Sequence, residues 1–233
     1  MENELLLILS ILIIYGSIII MFQFFGEDGL YSFTVFATIT ANIEVLIMVK
    51  AFGMEQTLGN VMFASTFLIT DILSEIKGKK AANKSVNIGI ATSIIFIIVS
   101  QTWMLYTPST QDWAMPAIKD IFSNTPRMML VGLATYAIVQ RFDVWAYHKW
   151  WALTEAKTGE TTRFLWLRNN GSTLLSQLLN TVLFTFGAFY GTYDLEVLIN
   201  LAVASYIIFI ITSLLDTPFI YLARYINNHK KVH

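Results

Sequence analysis

Apolar segments long enough to cross a lipid bilayer fill most of this 233-residue chain. A membrane-spanning helix needs about 20 consecutive apolar residues, and residues 5–25 and 86–106 contain no charged side chain at all. The sequence has seven candidate spans: 5–25, 31–49, 58–76, 86–106, 127–147, 172–190 and 198–221. Lipid tolerates only helices and closed barrels, and these segments lack the alternation of a barrel strand, so each one predicts a helix.

The composition excludes a water-soluble domain of this size. Hydrophobic residues make up 55% and charged residues 13% of the chain, against roughly 25% charged residues in an ordinary soluble domain. A net charge of −1 gives no basic field for nucleic acid, and the absence of cysteine excludes disulfides. We therefore predict an all-α, polytopic membrane helix bundle of six to seven transmembrane helices. It forms one domain over residues 1–233, and both a monomer and a homo-oligomer remain open.

The distribution of basic residues predicts the orientation in the membrane. With seven spans, the 77–85 loop, the 140–171 connection and the carboxyl-terminal tail share one side and hold twelve of the fifteen Lys and Arg residues. The positive-inside rule places that side, and hence the carboxyl end, in the cytoplasm. The first apolar segment follows an acidic start and no cleavage site follows it, so we interpret it as a retained span rather than a signal peptide.

Ionisable residues inside the spans are the first functional candidates, because a charge in the bilayer core costs several kcal/mol. Glu44 lies well inside its span with no basic residue within one helical turn, and Asn42 precedes it by two residues. Asp71 and Glu75 are four residues apart and share one helix face. Hydrogen bonding between helices is the structural alternative for Asn42, Glu44 and Asp71, and pairing with nearby lysines is the alternative for Glu75.

The last two spans carry further polar residues. Asn170, Thr173, Gln177 and Asn180 fall at helical spacing, so they form one polar stripe that either joins helices or lines a cavity, and we favour the cavity. Asp216 precedes Pro218, and we favour a functional role for it.

Charged residues also occur at both ends of the fifth span. We interpret Arg127 either as reaching the lipid headgroups or as the counter-ion of a buried carboxylate. Arg141 and Asp143, at the other end of the span, are expected at the membrane interface.

Features of an enzyme are absent from the sequence. His148 is the only histidine outside the carboxyl-terminal tail, and no phosphate-binding loop of the Gly-x-x-x-x-Gly-Lys-Ser/Thr type occurs. These absences exclude histidine-based metal sites and ATP hydrolysis by that route. We predict a protein that is not an enzyme and that uses neither a metal nor a cofactor.

Five short motifs, in order along residues 41–220, resemble those of the queuosine precursor transporter family, which is also described as a vitamin uptake family. They are residues 41–43 (Ala-Asn-Ile), 67–75 with 78–80, Pro126-Arg127, 166–170 with 172–173 and 176–177, and 215–218 (Leu-Asp-Thr-Pro). The resemblance covers most of the chain. Asn180-Thr181 departs from the Asp-Thr expected there, and residues 206–214 lack the Lys that some members carry.

The resemblance implies an inner-membrane importer of 7-deazaguanine bases, namely the cyano and aminomethyl precursors of queuosine and, in some members, queuine. The alternative is a substrate-capture subunit of an ATP-driven vitamin or nucleobase importer. Such a base offers a pair of donors to a carboxylate and a carbonyl to an amide. The expected substrate-binding residues are Asn42, Glu44, Asp71, Asn170, Gln177 and Asp216, with gating or ion pairing as the other role for Asp71. The expected gating or ion-pair residues are Glu75, Arg127, Arg168 and Asn180.

Overall fold

The first two apolar segments form a helical hairpin without a connecting loop. The computed structural model describes residues 2–123, 126–160 and 163–230. Helix α1 (Glu2–Glu44) turns at Gly26, where φ is 60° and ψ is −136°, a conformation that glycine adopts at little cost. Its first arm, residues 2–25, and its second arm, residues 27–44, then pack closely. This approach requires glycine at position 29, because a Cβ there would collide with the backbone of Met21.

A β-hairpin follows α1 where the sequence predicted the end of a span. Strand β1 (Met48–Ala51) pairs antiparallel with β2 (Met54–Thr57). Phe52 and Gly53 join the strands and both have positive φ, as a tight type I′ turn requires. The helix expected over 31–49 therefore ends at Glu44, so that Glu44 is the last residue of a helix rather than a residue well inside a span.

Helix α2 (Gly59–Lys77) is the centre of the bundle and packs against four of the helices: α1, α3 (Lys79–Trp103), α5 (Pro126–Thr158) and α7 (Leu195–Lys230). All but one of its residues from Gly59 to Ser74 are buried. A helix buried on all sides has its polar groups satisfied by protein rather than by water. This position explains why α2 can carry Ser, Thr and Asp side chains within the membrane.

Short α4 (Met115–Ser123) and long α6 (Leu165–Phe189) complete the described elements. Asp112 caps α4 by accepting a hydrogen bond from the Met115 amide at 2.8 Å. Helix α5 continues to Thr158, so most of the predicted 140–171 connection is helical. The reason is that the segment after the fifth apolar run contains good helix formers and no Gly or Pro before Gly159.

Contacts between distant segments define the two ends of the bundle. At one end, Lys77 pairs with Glu27 at 3.6 Å, and Arg224 of α7 lies 3.7 Å from Glu75. At the other end, the Asn3 amide donates to the Lys50 carbonyl at 2.9 Å. We refer to the end that holds Lys77, Glu75 and Arg224 as the basic end and to the end that holds the β-hairpin as the hairpin end.

Apolar side chains cover the outside of the bundle, and the interior holds buried polar side chains beside an apolar core, as expected for a protein in lipid. On α6, Leu175, Leu178 and Val182 are exposed, whereas Thr173 and Gln177 are buried. Four described helices are long and apolar enough to cross a membrane: Asn3–Glu44, Lys79–Trp103, Leu165–Phe189 and Leu195–His229. The prediction of an all-α polytopic membrane bundle is confirmed, with the β-hairpin as an addition to it.

Candidate functional site

A cavity lies between the second arm of α1 and helices α2, α3, α5 and α6. Three asparagine side chains line it: Asn42 from α1, Asn60 from α2 and Asn180 from α6. Three aromatic rings, those of Phe63, Tyr136 and Phe184, line it as well. Neutral amides and aromatic rings around one space suit a flat, polar, uncharged heterocycle. We call this space the amide cavity.

Several polar groups around the amide cavity have hydrogen-bonding capacity to spare. The Tyr136 hydroxyl is buried and has no partner among the described residues. The Asn180 side chain likewise forms no hydrogen bond within the described chain, whereas the Asn60 amide donates to the Ser205 hydroxyl at 3.2 Å. Buried polar groups are nearly always paired, so these groups are available to a ligand.

The backbone of α3 fixes the position of the Tyr136 ring. A Cβ on Gly89 would collide with the hydroxyl and the ring of Tyr136. Glycine therefore allows α5 and α3 to approach until the ring lies against the α3 backbone. The neighbouring residue Thr135 also lines the cavity, so this turn of α5 contributes both a hydroxyl and an aromatic face.

Three aspartates form a second polar group on the basic-end side of the cavity, which we call the aspartate cluster. Asp71 of α2, Asp143 of α5 and Asp216 of α7 are each at most 1% exposed. Asp71 accepts a hydrogen bond from the Thr173 hydroxyl at 3.1 Å, and Asp216 accepts one from the Asn169 amide at 2.7 Å. Asp143 lies beside Asp71. Two residues of α6 thus join the carboxylates of α2 and α7.

The aspartate cluster lacks positive charge. Within the described residues no Lys, Arg or His forms an ion pair with any of the three aspartates. Within the described residues, both carboxyl oxygens of Asp143, one of Asp71 and the amide oxygen of Asn169 accept no hydrogen bond of good geometry, although the Ser172 and Ser176 hydroxyls lie near Asp143. Carboxylates buried without a cation are strongly disfavoured in the charged form.

A buried ion pair closes the interior one helical turn beyond Asp71. The Arg168 guanidinium donates to both oxygens of Glu75, with distances of 2.7 to 3.0 Å. The Tyr147 hydroxyl donates to the same carboxylate at 2.8 Å, and the Trp151 ring stacks on Arg168 at 4.2 Å. Glu75 therefore pairs with arginine across the bundle rather than with the lysines that follow it in sequence.

Gln140 connects the amide cavity to the aspartate cluster. Its amide donates to the hydroxyl of Thr66, a cavity residue, at 2.5 Å. Its carbonyl accepts from the Thr70 hydroxyl at 3.3 Å, and Thr70 immediately precedes Asp71. Along α6, Gln177 lies between Thr173 and Asn180, and neither of its amide atoms has a partner in the described chain. The two polar groups are thus continuous along the same helices.

The structure divides the expected substrate-binding residues between several places. Asn42 lines the amide cavity, Asp71 and Asp216 belong to the aspartate cluster, and Gln177 lies between the two. Asn170 donates to the Thr217 hydroxyl at 2.8 Å and so joins α6 to α7. Glu44 lines a different groove, between the arms of α1 and the β-hairpin, because α1 ends there.

The expected gating and ion-pair residues are also separated. Glu75 and Arg168 form the buried ion pair, whereas Asn180 lines the amide cavity. Arg127 pairs with no carboxylate among the described residues. Instead it donates to the carbonyls of Gly187 and Tyr190 at 2.7 to 3.1 Å, where a cation stabilises the carboxyl-terminal end of α6.

Sequence reasoning missed four residues of this interior. Asp143 is fully buried rather than interfacial, because α5 extends well beyond the apolar segment by which its end was judged. Asn60 and Tyr136 carried no recognised spacing, although both lie within predicted spans. Asn169 adjoins the stripe that began at Asn170, and helical spacing from Thr173 places it four residues away on the same face, so this residue could have been found.

Comparison with known proteins gives one family and one curated relative. Residues 57–223 match the model of the family described as "Putative vitamin uptake transporter". A protein of Bacillus subtilis (strain 168) named "Probable queuosine precursor transporter" is 35% identical over 207 residues, covering 89% of this chain and 88% of the relative. No solved structure gives a significant match. The matched region includes all of α2, α3, α5 and α6 and most of α7, and therefore both polar groups apart from the cavity residue Asn42 and its neighbours on α1.

Proposed function

The chain belongs to the family described as "Putative vitamin uptake transporter", and on that premise we propose that it imports 7-deazaguanine precursors of queuosine across the cytoplasmic membrane. The relative of Bacillus subtilis is named "Probable queuosine precursor transporter". The observation that supports the proposal within this chain is the amide cavity, where three asparagines, an unpartnered Tyr136 hydroxyl and aromatic rings surround one space. No chemical change to the base is part of the proposal.

The polar edges of a 7-deazaguanine fit a site of this kind. Its ring N–H and exocyclic amino group are donors, and its carbonyl is an acceptor, while an asparagine side chain offers one of each. We assign Asn42, Asn60 and Asn180 to these edges and the Tyr136 hydroxyl to a further contact. Phe63 and Phe184 are available to pack against the flat ring. A purine with different edges would leave buried amides unpaired, at a cost of about 1–3 kcal/mol for each group.

This assignment differs from the expectation that a carboxylate among the expected binding residues, such as Glu44 or Asp216, accepts the donor pair. Glu44 lines a separate groove, and one oxygen of Asp216 accepts a hydrogen bond from Asn169. Amide oxygens therefore replace a carboxylate as the acceptors of the donor pair. The departure from the family pattern at Asn180 agrees with a neutral cavity, since the chain has an amide where an aspartate was expected.

Alternating access around the cavity is the mechanism that we propose. Asn60 and Thr57, near the β-hairpin, border the cavity at the hairpin end, and the Arg168–Glu75 pair closes the basic end. The positive-inside rule then places the hairpin end outside the cell and the carboxyl end in the cytoplasm. Release of the base inward requires the Arg168–Glu75 contact to open, so we assign these two residues to the inner gate.

A rescue assay tests the function. A bacterium that can neither make nor import queuosine precursors expresses this chain and receives the cyano base, the aminomethyl base or queuine separately at nanomolar concentration. We expect at least one base to restore queuosine in tRNA, detected as slower migration on a boronate gel. The double variant Asn42→Ala/Asn180→Ala should lose rescue, whereas Asn228→Ala, on the exposed end of α7, should retain it. Absence of rescue by any base, with the protein present in the membrane, would contradict the proposal.

A further inference from the structure

Burial without a cation disfavours the charged form of the aspartate cluster, and binding of a neutral base in the amide cavity does not supply the missing positive charge. Asp71, Asp143 and Asp216 are at most 1% exposed, and no basic residue pairs with them in the described chain. An isolated buried carboxylate is charged only at a large free-energy cost, and neighbouring carboxylates raise that cost further. The three groups therefore cannot all be ionised while the interior is dry.

The neighbouring ionisable groups do not supply the missing positive charge. Arg168 of α6 is committed to Glu75 of α2 through three hydrogen bonds. Tyr147 of α5 also donates to Glu75, and Tyr15 of α1, which faces Asp216, donates to the Thr212 carbonyl at 3.3 Å. Neutralisation of the cluster consequently depends on a bound cation from outside the chain.

A proton suits the geometry better than a metal ion does. Within the described residues no group of three or more acidic, His or Cys side chains is close enough to hold a metal. Asp71 and Asp143, by contrast, are neighbours, and a proton between two carboxyl groups converts their repulsion into a hydrogen bond. The unpartnered oxygens of Asp71, Asp143 and Asn169 are acceptors for that proton and its hydrogen bonds.

The aspartate cluster and the amide cavity share three helices. Helices α2, α5 and α6 contribute to both, through Thr66 and Asp71, Tyr136 and Asp143, and Asn180 and Thr173 respectively. Gln140 holds Thr66 of the cavity and Thr70, the neighbour of Asp71, at the same time. A change in the charge of the cluster alters how these three helices pack, and so alters the cavity that they line.

We propose that the aspartate cluster binds the coupling proton of this transporter, with Asp71 and Asp143 sharing one proton that enters the cell together with one molecule of base. This inference rests on the proposed function and adds the energy source to it. The shared proton lowers the charge of the Asp71–Asp143 pair from −2 to −1 and replaces their repulsion with a hydrogen bond, which permits the dry packing seen in the structure. Loss of the proton toward the basic end leaves a more strongly charged cluster that favours a hydrated, rearranged interior and completes the cycle.

The experiment uses the full chain, purified and reconstituted in liposomes, with 7-cyano-7-deazaguanine as the probe because that base carries no charge of its own. The membrane potential is clamped at zero with potassium and valinomycin, and the outside is made one pH unit more acidic than the inside. With one proton per base, we expect about tenfold accumulation of labelled base at steady state. A pH-sensitive dye inside the liposomes should report acidification that begins when the base is added.

Substitutions of Asp143 test whether this residue binds the proton. Asp143→Asn should reduce the accumulation ratio from about ten to about one, and Asp143→Glu, which retains a titratable group, should restore part of the accumulation. The matched control is Asp28→Asn, an exposed aspartate at the α1 corner, which should accumulate the base as the unchanged chain does. The unchanged chain alone keeps the proposal testable if an Asp143 variant fails to fold.

The outcomes separate this inference from the proposed function. Uptake that only equilibrates the base, regardless of the pH difference, would overturn proton coupling and leave the importer function standing. Uptake that follows a sodium gradient, or full accumulation by Asp143→Asn, would likewise overturn it. Failure of the folded chain to take up any base, together with failure of the rescue assay, would overturn both proposals.

Discussion

The amide cavity and the aspartate cluster use the same three helices for different physical purposes. Tyr136 and Asp143 are seven residues apart on α5, as are Thr173 and Asn180 on α6, a rise of about 10 Å along a helix. Every side chain assigned to the base in the cavity is neutral, whereas the cluster concentrates buried carboxyl groups. A rise of about 10 Å along the bundle thus separates the proposed base-binding residues from the buried carboxyl groups.

The buried ion pair beside the aspartate cluster differs from the amide cavity in how its side chains are paired within the protein. The Arg168–Glu75 pair beside the cluster is fully hydrogen-bonded, while Tyr136 and Asn180 in the cavity have no protein partner among the described residues. Removal of a satisfied buried group destabilises the fold. Removal of a polar group that has no partner in the protein does not destabilise the ligand-free protein and lowers only the affinity for a ligand that contacts the group. Variants in the two regions should therefore fail in different ways.

The largest expected effect is on stability, at the basic end. Arg168→Ala leaves Glu75 buried with the Tyr147 hydroxyl and the more distant Arg224 as its remaining partners, and breaking a buried pair from one side typically costs about 3–5 kcal/mol. We expect a large drop in the Tm of the purified protein in detergent, with Arg168→Lys intermediate because it cannot reproduce the bidentate contact. Arg141→Ala, on the exposed side of α5, serves as the control. An unchanged Tm for Arg168→Ala would show that the ion pair is not structural.

The second effect concerns affinity in the cavity. Asn180→Ala removes an amide assigned to the base, and the loss of about 1.4 kcal/mol of binding would raise the KM for uptake about tenfold. The accumulation ratio at a fixed pH difference should stay near that of the unchanged chain, which is the reverse of the pattern expected for Asp143→Asn. Saturation curves and steady-state accumulation measured on the same liposomes check both quantities. If both variants changed both quantities equally, the division between cavity and cluster would be wrong.

A smaller effect is expected at Tyr136. Its hydroxyl has no partner within the part of the chain that the structure describes, so Tyr136→Phe should leave the Tm unchanged or slightly higher. If the hydroxyl contacts the base, loss of one neutral hydrogen bond, about 0.5–1.5 kcal/mol, raises KM about two- to tenfold. Thermal unfolding with and without the base distinguishes these contributions. A lower Tm in the absence of base would indicate that the hydroxyl serves the fold instead.

The smallest effect is expected at the hairpin end. Arg127 caps α6 from an exposed position, and a cation at a helix end contributes about 0.3–1 kcal/mol. Arg127→Gln should therefore lower the Tm slightly and leave both KM and accumulation unchanged. A strong loss of uptake in this variant would place Arg127 in the transport path, in agreement with the alternative role considered from the sequence.

The sequence was sufficient to predict the class of fold, because apolar length and the absence of alternation leave few structures that lipid tolerates. Hydropathy could not reveal that α1 turns at a single glycine or that Phe52-Gly53 forms a β-turn, since both depend on local backbone angles. The polar stripe of α6 was predicted from spacing, and the structure buries all of it. What spacing cannot give is the partner of each residue, which depends on how the helices rotate against one another.

The two misjudged carboxylates show the same limit. Glu44 looked deeply placed and Asp143 looked interfacial, because depth was judged from the ends of apolar segments. In the structure α1 stops at Glu44, and α5 runs fifteen residues beyond Asp143 to Thr158. Helix ends follow from capping and tertiary packing as much as from apolarity. Asp143 therefore lies in the buried interior, whereas Glu44 lies at the end of a helix.

The most direct test of the central claim is uptake of labelled 7-cyano-7-deazaguanine into liposomes that contain only this purified chain. We predict saturable uptake above that of empty liposomes. Asn180→Ala should raise the KM for uptake about tenfold, and Asn228→Ala should leave the KM unchanged. The result that would contradict the account is absence of uptake by a folded chain that nevertheless rescues cells. That outcome would mean that a partner ATPase drives import and that this chain only captures the base.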